Sequence, residues 1–315
     1  MATTTSITTT YAGEFAGKYI AAALLSGSTI ENGGIEVKPN VKYKEVIKKV
    51  ATDSNVIKDA TCDFTDTATV TLTERILQPE EFQVNLEFCK KDFHSDWEAV
   101  QMGYSAFDNL PPAFSDFIIA HVAGLVAEKT EQNNWGGATA TAGEFDGIVT
   151  LATADADVID VAGAAGGITA SNVIAELGKV VDAIPSALYG KEDLYLYVSQ
   201  SVARDYVRSL GGFGANGLGA NGVNNQGTQW WNNGGLSFDG VKLFVANGMD
   251  DDYIVAAQKS NLFFGTGLLS DHNEVKVLDM ADLDGSQNVR FVMRFTAGVQ
   301  YGIGSDLALF TLAAQ

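Results

Sequence analysis

Residues 70–88 read VTLTERILQPEEFQVNLEF and contain two runs in which apolar and polar side chains alternate. The apolar positions are Val70, Leu72 and Ile76 in the first run and Phe82, Val84, Leu86 and Phe88 in the second. Alternation with a period of two is typical of strands that bury one face. Residues 78–81, QPEE, separate the runs and have the composition of a turn, so the stretch predicts a β-hairpin.

The hairpin belongs to a longer strand-like segment, residues 34–93, which has too few apolar residues to enclose a core of its own. A segment that cannot bury its apolar side chains needs another surface to cover them. A second copy of the same chain is the expected surface. The predicted contacts with that copy are Glu80, Glu81, Phe82, Val84, Leu86 and Phe88.

Six lysines between positions 38 and 58 form a basic stretch in an otherwise acidic chain. One interpretation is a nucleic-acid patch, although Tyr43 is the one aromatic platform there. A second is an ordinary solvated strand face. The third, which we prefer, is that the stretch docks on an acidic neighbouring copy, with Lys38 and Lys42 as candidate contacts.

The composition describes a folded, acidic protein. The 315 residues are 46% hydrophobic and 19% charged, which is a globular mixture and not that of a disordered chain. The net charge of −19 gives no overall attraction to nucleic acid or to an anionic membrane. Gly is abundant at 33 residues and Pro scarce at 5, which favours a β-rich fold with tight turns.

Targeting and cysteine usage predict folding in the cytoplasm. The first residues, MATTTSITTTYAGEF, lack the basic and apolar regions of an export signal, and we expect no transmembrane span. Cys62 and Cys89 are too few for a disulfide framework. They are interpreted as reduced, buried thiols, with a bond between them across a hairpin as the alternative.

The strongest helix prediction covers residues 112–133. Pro112 fits a first helical turn, and an apolar stripe at helical spacing includes His121, Val122, Leu125 and Val126. A shorter helix is predicted over 11–25. Downstream, the pattern predicts two helices, over 171–188 and 201–210, and Ser171 is the expected N-cap of the first. It also predicts short strands around Ile148 and Ile159, and strands over 193–198, 236–246, 253–257, 275–278, 288–301 and 307–312.

A glycine- and asparagine-rich loop, residues 211–235, follows the helix predicted over 201–210. Its string GxGxxG is not followed by a helix, so a dinucleotide site is not expected, and a mobile tip loop is the preferred interpretation. The candidate functional residues of that loop are Gly212, Gly214, Asn216, Gly217, Asn221 and Gly222.

Nothing in the sequence has the spacing of a catalytic, metal or cofactor site. The acidic groups at 250–252 and at Asp279, Asp282 and Asp284 lack the closing Glu of a calcium loop and are interpreted as solvated turns. The three histidines are scattered, and His121 is interpreted as a packed core residue. We therefore expect no enzyme activity and no cofactor.

Arg290 and Arg294 lie on one face of the strand predicted over 288–301. Each guanidinium can bind a carboxylate with two hydrogen bonds. One alternative is a partner within the same chain, such as Glu128 or Glu131, and the other is a residue of another copy, such as Glu80 or Glu81. On the second alternative both arginines are inter-subunit contacts.

The order of these segments resembles the major capsid protein of tailed bacteriophages. Residues 238–243, FDGVKL, and 261–267, NLFFGTG, are similar to that family's late strand, small turn and N-L-x-x-G-T run, and residues 295–303, FTAGVQYGI, to its C-terminal strand. The resemblance implies an α+β fold with an N-terminal arm and short helix (1–33), an extended β-hairpin loop (34–93), a peripheral domain with a spine helix (94–135 and 270–315) and an axial α/β domain (136–269).

The resemblance also implies partners and a location. The extended loop would lie over a neighbouring subunit, the glycine-rich loop would approach a capsomer axis, and the chains would form hexamers and pentamers. The shell would enclose double-stranded DNA without reading its sequence and would sit in the virion after assembly in the host cytoplasm. The short N-terminal segment implies a separate scaffolding protein, together with portal and decoration proteins.

The expected function is therefore that of a capsid subunit. The first alternative keeps the fold and encloses protein cargo in an encapsulin-like bacterial nanocompartment. The second is an acidic, β-rich surface protein, and an enzyme ranks last. Deletion of residues 35–88 is expected to leave a soluble monomer that no longer assembles.

Overall fold

The computed structural model describes residues 28–52, 56–60, 62, 68–89, 112–211, 236–267 and 276–312. The helices are α1 (Ser28–Glu31), α2 (Pro112–Gly136), α3 (Ile148–Thr153), α4 (Val173–Ala183), α5 (Gln200–Gly211) and α6 (Ala281–Asp284). The strands are β1 (Glu36–Lys38), β2 (Glu45–Thr52), β3 (Val70–Leu77), β4 (Glu80–Cys89), β5 (Ile159–Ala162), β6 (Leu194–Val198), β7 (Ser237–Phe238), β8 (Val241–Val245), β9 (Ile254–Gln258), β10 (Leu262–Gly265), β11 (Lys276–Asp279), β12 (Asn288–Tyr301) and β13 (Ala308–Thr311).

The first sheet is organised around β12, whose 14 residues pair with three other strands. β10 lies antiparallel to its C-terminal end, while β11 and β4 flank the rest of it. β1 extends the sheet beyond β10 in parallel. Alternate β12 side chains, including Val289, Phe291 and Met293, are buried and share one core with Val122 and Val126 of α2. The long helix therefore lies against one face of this sheet.

The second sheet has the order β5-β13-β9-β6-β8-β7 and mixes parallel and antiparallel pairs. β6 consists of five largely buried residues, LYLYV, which is the pattern of a central strand. The apolar stripes of α4 and α5 pack on this sheet and form a second core. β7 and β8 are joined by a two-residue turn at Asp239 and Gly240, both at positive φ, as tight hairpins require.

β2 and β3 form a separate two-stranded antiparallel ladder with eight residue pairs, from Glu45↔Leu77 to Thr52↔Val70. Both neighbours of this ladder in sequence belong to the first sheet. β1 pairs with β10 on one side of it, and β4 pairs with β12 over ten residues on the other. Of the described residues in this segment, β1 and β4 therefore belong to the first sheet, and the β2–β3 ladder between them is a separate sheet.

The predicted hairpin between 70–76 and 82–88 is wrong. β3 pairs with β2, and β4 pairs with β12, so the two runs lie in different sheets. Pro79 sits at the change of sheet, where a residue without an N–H donor interrupts no ladder. β12 offers β4 ten pairs beside the core, and β4 thereby buries side chains that β3 would have left in water.

Most other element predictions are confirmed, including the long helix, the helix at 201–210 and the strands at 253–257, 275–278, 288–301 and 307–312. The strand predicted over 236–246 is instead the β7–β8 hairpin, and the helix predicted over 171–188 ends at Ala183. Three further details are wrong. Ile148 begins helix α3 and not a strand, Asn172 and not Ser171 is the N-cap of α4, and Leu125 is 52% exposed and not on the buried stripe of α2. The helix predicted over 11–25 and the side chain of His121 lie outside the described residues.

Candidate assembly surface

The β2–β3 ladder exposes an apolar face. Because facing residues of an antiparallel pair share a side, the register places Val46 with Ile76 and Val50 with Leu72 on one surface, together with Val70. The exposed fractions are 44% for Val46, 64% for Val50, 61% for Val70, 70% for Leu72 and 43% for Ile76. We call these five residues the outer face. Lys48 and Glu74 lie opposite each other in its middle, and both are exposed.

On the opposite side of the ladder, the contacts with the body among the described residues lie near its base, which we call the root (Ile47, Arg75 and Leu77). Leu77 is fully buried and so close to Gly265 that a Cβ there would lie 3.0 Å from its methyl carbon. Ile47 lies over Gly302, and Arg75 is bonded to Asp155. Beyond the root, Thr71 and Thr73 are exposed on this side as well, so the distal ladder projects from the body.

Four of the predicted contacts on β4 have different environments. Phe82 is half-buried, with its ring 5.6 Å from Phe295 and 5.9 Å from Phe145, and Val84 packs against the same core. Leu86 is 42% exposed, and the backbone of Phe88 pairs with Val289. Phe82 and Val84 are thus partly covered by their own chain, and their contact with a second copy stays a prediction.

Lys38 has partners within the chain, and its predicted docking on an acidic neighbouring copy stays a prediction. Its Nζ lies 2.6 Å from Glu45 Oε1 and 4.7 Å from the centre of the Phe263 ring, so its charge is satisfied inside the chain. Lys42 is exposed and remains a predicted inter-subunit contact. Glu80 and Glu81, opposite Ala297 and Thr296 at the start of β4, also stay predictions.

Arg290 has a carboxylate partner that the sequence did not suggest. Its Nε lies 2.6 Å from Glu87 Oε2, on the neighbouring strand and directly opposite in register. None of the four glutamates proposed for it from the sequence is this partner. Arg294 is exposed opposite Gln83 and forms no ion pair with another described residue, so its role between copies stays a prediction.

Glu131, one of the proposed arginine partners, instead binds residues of helix α1. It is 4% exposed and accepts hydrogen bonds from Ser28 Oγ at 2.8 Å and from the Thr29 backbone nitrogen at 3.1 Å. Trp135 Nε1 donates to Thr29 Oγ1 at 2.8 Å. Glu131 therefore fixes α1 against α2, with its carboxylate at the start of the short helix.

The remaining sequence-predicted positions concern metal binding, membrane insertion, the glycine-rich loop and the two cysteines. Within the described ranges, no group of three or more His, Cys, Asp or Glu side chains is arranged to hold a metal ion. None of the described helices combines the length and apolar character that crossing a bilayer needs. Gly212, Gly214, Asn216, Gly217, Asn221 and Gly222 lie outside the described residues. Cys62 is exposed and Cys89 half-buried, so the prediction of two buried thiols is wrong for Cys62.

Sequence reasoning identified the alternation at Val70, Leu72 and Ile76 but assigned the contact with a second copy to β4. It missed Asp155 and Tyr301, which bind Arg75 at the root. The usable signal was the charge of Arg75 on the polar side of β3, which requires a carboxylate wherever that side meets the body. Its partners are 80 or more positions away, so the sequence could not name them.

Comparison with solved structures identifies the fold. The capsid of a native GTA particle superposes with a TM-score of 0.59 at 16% identity, covering 91% of this chain and 97% of the other. The capsid of Myoviridae phage XM1 gives 0.57 at 13%, covering 91% and 92%. A virus-like particle from Pyrococcus furiosus gives 0.54 at 8%, covering 95% and 98%.

Sequence comparison adds nothing to this: no protein-family model and no curated protein matches the chain. The structural likeness extends over nearly the whole chain and nearly the whole of each solved structure. The chain has the α+β fold of tailed-phage capsid proteins.

Proposed function

We propose that this chain is the subunit of a closed icosahedral shell, the capsid that encloses the double-stranded DNA of a tailed bacteriophage. The observation that carries the proposal is the outer face of the β2–β3 ladder. Five large apolar side chains project from the body on a two-stranded ladder, which is an arrangement that is marginal in water on its own. On a chain with a capsid fold, a second copy is the natural cover.

Covering the outer face would contribute part of the energy of assembly. Each outer-face side chain is roughly half exposed, so covering it contributes about 1 kcal/mol, and every subunit makes the contact. Many moderate contacts repeated by symmetry can overcome the repulsion between copies that each carry a net charge of −19. The same negative charge would keep packaged DNA from adhering to the shell.

The subunit organisation is part of the proposal. Hexamers and pentamers would be built from an axial domain around the second sheet and a peripheral domain around α2 and the first sheet. The boundaries expected from the sequence assign β13 (within 270–315) to the peripheral domain and β10 (within 136–269) to the axial domain. Because β13 pairs with β5 and β9 of the second sheet and β10 pairs with β12 of the first, we propose boundaries that follow the sheets instead. The glycine-rich loop would approach the capsomer axis, and a separate scaffolding protein, a portal and decoration proteins would complete a virion assembled in the host cytoplasm.

A structural role without catalysis is part of the proposal. One alternative has a specific observation in its favour: the likeness to a virus-like particle from Pyrococcus furiosus fits an encapsulin-like shell that encloses protein cargo. Both functions require the same self-association, and they differ in what the shell contains. The outer face serves either one.

Electron microscopy of the purified chain tests the proposal. Closed shells are expected, and DNA that is protected from nuclease inside native particles would favour the capsid over the nanocompartment. The double substitution Val50→Ser with Leu72→Ser should abolish shells while leaving the thermal unfolding of the single chain almost unchanged. Thr73→Ser, a matched substitution on the other side of the same strand, should still assemble. A double variant that forms normal shells would refute the role of the outer face.

A further inference from the structure

Three side chains from distant parts of the sequence meet at the root of the ladder. Arg75 of β3 donates a hydrogen bond from Nη2 to the carboxylate of Asp155, which follows α3. The Arg75 guanidinium also lies over the Tyr301 ring at the end of β12, 4.4 Å from its centre. Tyr301 Oη donates to Asp155 Oδ2 at 2.8 Å, so each of the three groups contacts the other two.

The residues around Arg75, Asp155 and Tyr301 pack closely against them. Tyr301 is fully buried, and the Asp157 backbone nitrogen donates to Asp155 Oδ1 at 3.1 Å. A Cβ on Gly304 would lie 2.8 Å from Asp155 Oδ2 and 3.2 Å from Arg75 Nη2. Glycine at position 304 therefore gives the ion pair its room, and the carboxylate accepts hydrogen bonds from three donors.

The charges in the cluster are well defined. Burial alone would raise the pKa of Asp155, but hydrogen bonds from the Asp157 backbone, Tyr301 and Arg75 hold that pKa below its ordinary value. Burial, and then the bond to Asp155, raises the pKa of Tyr301, so its hydroxyl remains a donor. Burial would lower the pKa of Arg75, yet its partners Asp155 and Tyr301 raise it overall.

The apolar contacts at the root attach the ladder to the body but do not fix the angle between them. Ile47 over Gly302 and Leu77 against Gly265 are apolar, and burial of apolar surface has no preferred angle. Gln300 Nε2 adds one long hydrogen bond, 3.3 Å, to the Ile76 carbonyl. The planar Arg75 guanidinium, held at once by a carboxylate and an aromatic face, has the more fixed geometry. The Lys38–Glu45 ion pair at the start of β2 is a second polar contact, but a lysine ammonium binds as a point charge.

We propose that Arg75, Asp155 and Tyr301 form a latch that fixes the direction in which the ladder projects, and that this direction sets the curvature of the shell. The first half of this inference concerns a single chain. The second half rests on the proposed function, because it needs copies that assemble through the outer face. Arg75 is a positioning residue, since it acts by aiming the outer face at a neighbour.

Hydrogen exchange on the unassembled chain, isolated by size exclusion, tests the first half. Arg75→Gln should raise exchange about tenfold at the β2 and β3 amides, the loss expected for one charge-assisted contact. The β4 and β12 amides should not change. Tyr301→Phe, which removes one hydroxyl, should give a smaller effect, and Arg75→Lys a partial rescue. Lys49→Gln, on the same side of the ladder, is the control. Equal exchange in Arg75→Gln, Tyr301→Phe and wild type would overturn the latch.

Acid provides an independent readout of the same contact. Because the folded-state pKa of Asp155 lies below the ordinary value of about 3.9, its ionised form supports the root fully above roughly pH 4. That support is lost as the pH falls through the lower, folded-state pKa. The groups facing this carboxylate are Arg75, Tyr301 and the Asp157 backbone. Wild-type ladder exchange, corrected for its intrinsic pH dependence, should accelerate in that range, while Asp155→Asn should be fast throughout.

Particle images test the second half. Arg75→Gln should give shells of variable diameter or open sheets, whereas Lys49→Gln should give particles of the wild-type size. Uniform wild-type shells from Arg75→Gln, with faster ladder exchange, would separate the latch from curvature and overturn the second half alone. If the wild-type chain forms no shells, the proposed function fails, and the exchange comparison still decides whether the latch exists.

Discussion

The β2–β3 ladder and the β4–β12 ladder have similar alternating sequences and opposite environments. On β4, Phe82 and Val84 pack against the core of their own chain, whereas Val50 and Leu72 on the β2–β3 ladder face water. The register explains the difference: β4 has ten partners on a strand that lies against α2, and β3 has only β2. Alternation therefore predicts that one face of a strand needs covering, and the pairing partner decides whether the same chain supplies the cover.

Excising each ladder in turn should give the largest contrast. Glu45 and Leu77 are partners in register, so residues 46–76 can be replaced by a short glycine–serine linker without stretching the body. That variant should remain a folded monomer and lose assembly completely, as judged by thermal unfolding and electron microscopy.

The matched deletion of residues 80–89 should abolish folding, because it removes ten pairs from β12 and the side chains of Phe82 and Val84 from the core. The deletion of 35–88 suggested by the sequence combines both changes and would not separate them. A folded 80–89 deletion, or an assembling 46–76 deletion, would break the comparison between the two ladders.

Single substitutions should show the same difference between the two ladders with smaller losses of stability. Phe291 is 2% exposed on β12, and Phe291→Ala should reduce the free energy of unfolding by about 3–5 kcal/mol. Leu72→Ala on the outer face should change it by less than about 0.5 kcal/mol, because the side chain is already in water in the single chain. Denaturant unfolding of the two variants measures both values, and similar losses would mean that the outer face is covered by its own chain.

These contrasts show what the sequence could and could not specify. Local signals were sufficient for α2, because Pro112 and the stripe at Val122 and Val126 depend on neighbours within a few positions. Strand pairing depends on residues far apart: Val84 faces Met293, more than two hundred positions away. The hairpin assignment failed for that reason. A turn-like sequence at 78–81 fits a hairpin and a change of sheet equally well.

The candidate contacts likewise combine a property visible in the local sequence with one that depends on the whole fold. Apolar character at Leu72 and Val84 was visible in the sequence, but exposure separates an assembly contact from a core contact, and exposure depends on the whole fold. Charged groups were less predictable still. Lys38 and Arg290 each found a carboxylate within the chain, at Glu45 and Glu87.

The Arg290–Glu87 pair offers a smaller test of the β4–β12 ladder. Both side chains are more than 40% exposed, so Arg290→Ala should cost no more than about 1 kcal/mol of unfolding free energy. The effect should shrink at high salt. Swapping the two charges, Arg290→Glu with Glu87→Arg, should recover most of the loss in the single chain.

Arg294→Ala is the control for this pair, because that arginine forms no ion pair with another described residue. It should leave the unfolding of the single chain unchanged. If Arg290→Ala weakens assembly far more than it weakens the single chain, Arg290 has an inter-subunit role in addition to Glu87.

The two cysteines allow a comparison with the smallest expected effect, since Cys62 lies between β2 and β3 in sequence and Cys89 is the last residue of β4. Cys62 is exposed in the segment that joins β2 to β3, and Cys89 is half-buried at the end of β4, opposite Asn288. A thiol-reactive dye should modify Cys62 rapidly and Cys89 slowly, because the second reaction requires the end of the ladder to open. Cys62→Ser should remove the fast phase and leave the unfolding temperature unchanged. Equal rates would mean that the end of β4 separates from β12 readily enough to expose Cys89 as fully as Cys62 is exposed, which would contradict the proposed difference in stability.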